Sequence, residues 1–234
     1  LIDVKITGKN RYSFAFEKLD KWLEMCDRCG IRYYEMSHLF TQWGARHAPK
    51  IIAEKNGVLK KIFGWRTMAS GKKYRLFMEQ FAEALKEYIN KKGIAQRCIF
   101  HVSDEPAKRQ LRAYSKAAQI IHKNFSGFKI TDTLSDFSFY EKGVVETPIP
   151  ATDHIEPFIG KVPELWAYYC GAQGRKYVSN RFFGMPAERN RIIGYQLYKF
   201  DVKGFLHWGY NFYYSRFSKR LIDPFTEPDA DGKF

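Results

Sequence analysis

Apolar residues along this chain follow two periodicities, which together predict strands separated by helices. Residues 74–90 carry an apolar side chain every three or four positions, and Gly93 follows them, as is typical of an amphipathic helix and its end. Other helices are predicted after Ser13, Pro106 and Pro186, and shorter ones near 135–140 and 152–160. Short apolar runs with strand character occupy residues 1–6, 31–36, 98–103, 128–131, 144–146, 165–170 and 203–208.

The alternation of these two patterns predicts an α/β fold. Strands separated by helices pair in parallel through right-handed crossovers. A doubly wound nucleotide-binding sheet is not favoured, because neither G-x-G-x-x-G nor a Walker A motif is present. We therefore predict a (β/α)8, TIM-like barrel that is incomplete, with its first strand and last helix outside this chain. The whole of 1–234 is expected to form this single domain, truncated at both ends.

The segment between residues 37 and 72 has little periodicity of either kind. It contains Trp43 and Trp65, together with several polar residues. Long irregular connections inside compact domains are usually functional. We predict that this segment is an active-site loop and that both tryptophans contact a ligand.

Two adjacent carboxylates, Asp104 and Glu105, end the predicted strand at 98–103, and Pro106 prevents that strand from continuing. In a parallel barrel, the loops after the strands form the open face on which catalytic groups gather. Ser103 and the two acids would also make an ordinary helix start, with a side-chain cap and negative charge near the positive end of the helix dipole. Taken alone, these residues leave both interpretations open.

Polar and aromatic residues follow several other predicted strands as well. A single such residue means little, but several that converge on one face of a barrel favour a ligand site. Besides Trp43 and Trp65, the candidates for substrate contact are His38, Asp132, Trp166, Tyr168, Tyr169, His207, Trp208 and Asn211.

Charge and composition limit the classes of partner. The formal charge of +14 raises the possibility of nucleic acid or an acidic glycan, but the basic residues are spread along the chain and fit solvated helix faces. We expect no nucleic-acid partner. No apolar run is long enough to cross a bilayer, so no membrane partner is expected either.

Neither metal nor cofactor chemistry has a sequence signal. The six histidines show no H-E-x-x-H or H-x-H spacing, and no G-x-S-x-G turn is present. Cys26 and Cys29 form a C-x-x-C inside a predicted helix, with no second pair at zinc-ribbon spacing. We expect four free thiols, no metal and no cofactor. Carboxylates beside many aromatic rings remain, and that combination suits sugars, whose oxocarbenium-like transition states need acidic groups.

Three segments resemble the catalytic barrel of glycoside hydrolase family 123. They are His-Val-Ser-Asp-Glu-Pro at 101–106, Leu-Trp-Ala-Tyr-Tyr-Cys at 165–170 and Gly-Phe-Leu-His-Trp-Gly-Tyr-Asn at 204–211. The resemblance implies a retaining β-N-acetylgalactosaminidase that cleaves terminal 2-acetamido sugars by substrate-assisted catalysis. It places Asp104 and Glu105 at the Asp-Glu pair of the family. A β-rich domain upstream of this chain is also expected in the full-length protein.

This mechanism gives a physical reason for two adjacent acids. Retaining enzymes that use a protein nucleophile need two carboxyl groups about 5–5.5 Å apart on either side of the bond, which sequence neighbours cannot easily provide. If the acetamido group of the substrate is the nucleophile, Glu105 can protonate the leaving oxygen while Asp104 orients that group. A carbohydrate-binding barrel without activity is the main alternative, and a basic nucleic-acid-binding protein is a further one.

Overall fold

The computed structural model describes residues 1–170, 179–180, 185–207, 209, 213–215 and 219–227. Regular elements alternate along most of this length. In chain order they are β1 (Asp3–Gly8), β2 (Arg11–Ala15), α1 (Glu17–Arg28), β3 (Tyr34–Glu35), β4 (Ile51–Lys55), β5 (Val58–Phe63), α2 (Lys72–Lys92), β6 (Cys98–His101), α3 (Leu111–Asn124), β7 (Lys129–Thr133), α4 (Ser138–Glu141), β8 (Thr147–Ile149), β9 (Trp166–Tyr168), α5 (Glu188–Lys199) and β10 (Gly204–Leu206).

The parallel strands follow one another in space in the order of the sequence. Strands β3, β6, β7 and β8 form a four-stranded parallel sheet, and β9 pairs in parallel with β10. A parallel bridge between Ala151 and Tyr168 links the two sheets. The mixed α/β fold with parallel sheets confirms that part of the prediction. Within the described part of the chain these strands do not close into a barrel, since β3 and β10 are the outer strands of their sheets.

The first predicted barrel strand belongs to a different sheet, which corrects the strand series. Strand β1 pairs antiparallel with β2, and β4 pairs antiparallel with β5, giving a second sheet of order β2-β1-β4-β5. Ser13 lies in β2 and does not cap a helix, because α1 begins only at Glu17. The physical reason is a tight turn at Lys9–Asn10, where Asn10 takes a φ of 55° and returns the chain onto β1.

A second hairpin lies inside the segment predicted to be irregular. Strands β4 and β5 are joined by Asn56 and Gly57, which both take positive φ, at 52° and 77°. An Asn-Gly pair between strands is the strongest short-range signal of a hairpin. The irregular loop is therefore limited to residues 36–50 and 64–71.

Smaller differences concern the region around β8. The predicted strand at 144–146 lies three residues later, at Thr147–Ile149, and the predicted helix at 152–160 is reduced to a single 3-10 turn, Glu156–Phe158. Pro157 within that turn lacks the N–H that a longer helix needs. These shifts matter because they decide which residues follow the end of β8.

Aromatic rings pack the helices against the strands. Phe77 of α2 contacts Tyr12, Phe14 and Phe63 of the small sheet, at centroid distances of 5.1, 5.7 and 5.2 Å. On the other side Phe100 of β6 stacks on a ring that follows α3, so the strand is anchored from its outer face. Burying large aromatic side chains contributes about 2–3 kcal/mol each. The carboxyl end of β6 thus rests on a well-packed support.

The cysteines agree with what the sequence predicted of thiols, and the length and apolar character of the helices bear on membrane spans. The four cysteines, Cys26, Cys29, Cys98 and Cys170, are free thiols, as the sequence predicted. Among the described helices, none combines the length and the apolar character that crossing a membrane requires.

Candidate active site

The two predicted catalytic acids lie where the chain leaves the carboxyl end of β6. Glu105 takes a φ of 43°, in the left-handed region that non-glycine residues seldom occupy. Its N–H donates to the carbonyl oxygen of Thr133 at 2.9 Å, which holds this unusual conformation in place. The strand alternation is broken here, and this allows sequence neighbours to act at one site.

These acids do not begin a helix. The next turn is a 3-10 segment, Lys108–Gln110, in which the Gln110 side chain accepts from the Ala107 N–H at 2.7 Å. Helix α3 starts only at Leu111. The alternative interpretation, in which Asp104 and Glu105 serve as helix caps, is therefore wrong.

Asp104 is half-buried and held from two sides. The Thr133 hydroxyl, at the end of β7, donates to its Oδ1 at 2.5 Å. Its carbonyl oxygen accepts the N–H of Trp43 at 2.7 Å. A carboxylate fixed in this way has one oxygen occupied and a second that can meet a ligand.

Glu105 is exposed, and its partner comes from β9. The Tyr168 hydroxyl donates to Glu105 Oε1. Tyr168 is buried, and burial, followed by the hydrogen bond and the charge of Glu105, raises its pKa well above the usual tyrosine value. The phenol therefore stays protonated and remains a donor to the carboxylate at neutral pH.

Glu105 and Tyr168 open onto a cavity of about 330 Å³. Its wall also contains His154, whose Nδ1 lies 2.7 Å from the carboxylate of Asp153. The sequence analysis did not assign this pair to the site. Asp153 and His154 come soon after β8, a position that would have indicated a place near the site. They were missed because the strand was predicted at 144–146, three residues too early. The remaining lining residues are Pro106, Ala107, Lys108, Ser135 and Asp136.

Asp132 is buried in the protein interior next to Ser103 and is not exposed at the cavity. Its side chain is 0% exposed, and its Oδ2 accepts the Ser103 N–H at 2.9 Å and the Tyr114 hydroxyl at 2.6 Å. Burial raises the pKa of Asp132, against the opposing effect of these donors and of His101. Because its side chain has no exposed surface, the position of Asp132 does not favour the predicted substrate contact, and its bond from the Ser103 N–H lies next to Asp104.

His101 joins this buried carboxylate to a second one. Its Nδ1 is 3.6 Å from Asp132 Oδ1, and its Nε2 is 3.0 Å from Glu35 Oε1. Burial lowers the pKa of His101, but the two carboxylates outweigh that effect and raise the pKa to about 9. The imidazole is therefore positively charged at neutral pH and neutralises part of the acidic charge below the site.

Trp43 and Trp65 form an exposed aromatic pair. Each side chain is 54% exposed, and the ring centroids are 6.3 Å apart at 63°. The loop that carries Trp43 has three successive positive φ values, and a Cβ at Gly44 would lie 2.7 Å from the Gln110 side chain. Together with the bond from the Trp43 N–H to the carbonyl oxygen of Asp104, this close contact fixes the Trp43 loop beside the two acids.

The other predicted contacts lie in several places. His38 is half-buried and lines a different cavity, of about 1040 Å³, beside Glu35 at the open edge of β3. Tyr169 is buried, with its ring 6.4 Å from that of His207, just after β10. Trp208 and Asn211 lie outside the described residues.

Trp166 is at the opposite end of the sheet from the acids. It is the first residue of β9, and its ring lies 4.8 Å from Lys129 Nζ at the start of β7. Its indole N–H donates to Glu164 at 2.7 Å, and it fills the space over Gly204. Parallel strands place their starts and their ends at opposite edges of a sheet, so this position does not favour the predicted substrate contact of Trp166.

The chemical options of this site follow from its groups. The cavity is lined by the Glu105 carboxyl group, by the Tyr168 phenol that donates to it and by His154, which is paired with a carboxylate, and Asp104 precedes Glu105 in the chain. These groups can transfer protons and orient a polar ligand. Within the described ranges, no three His, Cys, Asp or Glu side chains stand close enough to form a metal site.

Comparison with known proteins identifies the family. A model of the glycoside hydrolase 123 catalytic domain matches residues 1–234. The fold is similar to that of a family 123 glycoside hydrolase from Clostridium perfringens, analysed for the details of glycolipid glycan hydrolysis, with a TM-score of 0.66 at 15% identity. That match covers 89% of this chain but 38% of the other, so the chain spans less than half the length of this relative. No curated protein matches. Since the family model extends over its full length, the chain belongs to glycoside hydrolase family 123.

Proposed function

We propose that this chain carries the active site of a retaining β-N-acetylhexosaminidase that releases terminal N-acetylgalactosamine from glycans. The reaction is substrate-assisted, with the 2-acetamido oxygen of the sugar as the nucleophile. The observation that carries the proposal is the break at the end of β6, where the side chains of the adjacent residues Asp104 and Glu105 are held by residues of two different strands, β7 and β9.

Glu105 acts as the general acid and base. Its exposed carboxyl group faces the cavity of about 330 Å³, where a leaving oxygen can reach it. Protonated Glu105 gives its proton to the glycosidic oxygen as the bond to the anomeric carbon breaks. The resulting carboxylate then removes a proton from the water that opens the cyclised intermediate, so the second step reverses the first.

Asp104 acts on the acetamido group. Its Oδ1 is occupied by Thr133, and its Oδ2 is the atom that can accept the acetamido N–H. An accepted hydrogen bond turns the acetamido oxygen toward the anomeric carbon and stabilises the positive charge that develops on the nitrogen during ring closure. The carbonyl of Asp104 is fixed by Trp43, so the geometry of the acid and the aromatic pair are coupled.

Substitution of each acid separates these roles. Glu105→Gln removes proton donation, which is worth roughly 10²–10⁴ in rate for a poor leaving group and little for nitrophenol. We expect it to slow the hydrolysis of natural glycans far more than that of aryl glycosides. Asp104→Asn should slow both substrates by a similar factor, because both require ring closure.

Three outcomes would count against this assignment. Parental rates in both variants would remove the acids from the mechanism. Equal losses on both substrates in the Glu105 variant would contradict its role as the acid. Glycan affinity without turnover in the parental chain would support the alternative of a binding protein. As a further check, a stabilised analogue of the cyclised intermediate should inhibit the parental chain and bind the Asp104 variant much more weakly.

A further inference from the structure

A third cavity, of about 400 Å³, lies beside the Trp43 loop, with Ala45 and Arg46 in its wall. One wall is formed by the start of α3 and the turn before it, and the other by residues 45–46 and 68–70. Four basic side chains line it, namely Arg46, Arg109, Arg112 and Lys116. Arg109, Arg112 and Lys116 are spaced three and four residues apart, which places them on one face of the helical segment.

No counter-charge for these four cations is present among the residues that the structure describes. Within the described part of the chain, none of them forms an ion pair or a side-chain hydrogen bond, and no lining residue of the cavity is acidic. Elsewhere basic residues often do have partners: Lys18 is 2.7 Å from Asp3, and Arg97 is 2.6 Å from Asp27. All four side chains are exposed, and an anion bound between these like charges would relieve their mutual repulsion.

The rest of the wall leaves room for such an anion. Most of the non-basic residues in the wall have small side chains, so neither the helix nor the loop fills the cavity. They are Ala45, Ala69, Ser70, Ala113 and Ala117. A concave site with a few convergent charged groups and otherwise small or apolar walls is the usual form of a binding site for a small group.

Gln110 connects this cavity to the acids. It lines the cavity, its amide N–H donates to the carbonyl oxygen of Trp43, and the Trp43 N–H in turn donates to the carbonyl oxygen of Asp104. Through these two hydrogen bonds the wall of the cavity is linked to the backbone of Asp104 by way of Trp43.

We infer that the cavity binds an anionic substituent, a sulfate ester or a carboxylate, on the glycans that the active site cleaves. The inference deepens the proposed function and rests on it. A guanidinium presents paired N–H donors that match the oxygens of both anions. A cavity of this size accommodates one charged group with its sugar, whereas nucleic acid needs a basic surface that follows several phosphates.

Direct binding tests the inference without requiring turnover. The ligands are a chondroitin sulfate oligosaccharide, its desulfated form that keeps the carboxylates, a neutral oligosaccharide of equal length and single-stranded DNA of mixed sequence. The proteins are the parental chain, the double variant Arg109→Gln/Arg112→Gln and a control with the same charge change, Lys60→Gln/Lys61→Gln. Lys60 and Lys61 are exposed on β5 and do not line the cavity.

The parental chain should bind the anionic oligosaccharides more tightly than the neutral one. The arginine variant should lose about tenfold or more of that affinity, and the lysine control less than about twofold. Tighter binding of the sulfated ligand assigns the cavity to sulfate, and equal binding of both anionic ligands assigns it to carboxylate. A second variant, Arg46→Gln/Lys116→Gln, should reproduce the loss if one variant is poorly folded.

Three results would overturn the inference. They are equal losses in the arginine and lysine variants, neutral ligand bound as tightly as anionic ligand, and DNA bound at least as tightly as the sulfated glycan at physiological salt. If the parental chain binds the anionic glycans through the arginines but cleaves no 2-acetamido glycoside, the proposed function fails while the anion site stands.

Discussion

The charge on His101 makes the stability of this protein depend on pH. Its pKa of about 9 in the folded chain compares with about 6.5 for histidine in an unfolded chain. Below the lower value both states hold the proton. Between the two values the folded state keeps it and the unfolded state loses it, so the free energy of unfolding falls as the pH rises and the contribution is lost above about 9.

The size of this effect follows from the difference between the two pKa values. Each pH unit corresponds to about 1.4 kcal/mol, so His101 contributes about 3 kcal/mol that disappears between about pH 6.5 and about pH 9. The ring is 5% exposed and lies between Asp132 and Glu35, so solvent screening reduces this value little.

Urea unfolding followed by tryptophan fluorescence at a series of pH values measures this slope. The parental chain should lose about 3 kcal/mol across the window, and His101→Gln should lose much less. Because Gln carries no proton, the variant should be less stable below pH 6.5, and the two curves should converge as the pH approaches 9. If the free energies of unfolding of the two proteins ran parallel between about pH 6.5 and about pH 9, the folded chain would not hold this proton on His101.

Further predictions concern the residues around the acids. Tyr168→Phe keeps the buried ring but removes the hydroxyl that donates to Glu105. In steady-state kinetics, kcat/KM for glycans should fall about 10- to 100-fold, and an unchanged value would contradict a role of this contact in the reaction. Gly44→Ala should cost about 1–3 kcal/mol in urea unfolding, because φ is 106° and Gln110 lies against the added Cβ. Its control, Gly194→Ala, lies in α5 with nothing within 4 Å and should stabilise the protein by about 0.5–1 kcal/mol. Trp65→Ala should raise KM for glycans more than it lowers kcat, and the reverse would place this ring in the chemical step.

The parallel part of the fold could be predicted from the sequence because it is encoded locally. Helical spacing and short apolar runs follow each other along the chain, and parallel pairing is then almost the only way to arrange them. The second sheet was missed although Asn56-Gly57 carried a clear hairpin signal. The incomplete barrel was an extension of this pattern to strands and helices that the sequence itself does not contain.

The acids could be predicted because their chemistry is contiguous, while their supports could not. Asp132 resembles a ligand-facing acid in the sequence, but its burial depends on Ser103 and Tyr114, which are 29 and 18 residues away. Trp166 stands in the same apolar run as Tyr168, and only the register of β9 against β10 shows that they belong to opposite edges of the sheet. Burial and register are decided by packing between distant segments, which periodicity does not report.

In the proposed mechanism the substrate itself supplies the nucleophile to a site built on Asp104 and Glu105. The most direct test is the hydrolysis by the parental chain of two nitrophenyl β-galactosides that differ only at C2, one with an acetamido group and one with a hydroxyl group. We expect the parental chain to turn over the acetamido glycoside and Asp104→Asn to slow that reaction strongly. We expect no comparable turnover of the hydroxyl glycoside. Equally rapid cleavage of both substrates would contradict this mechanism.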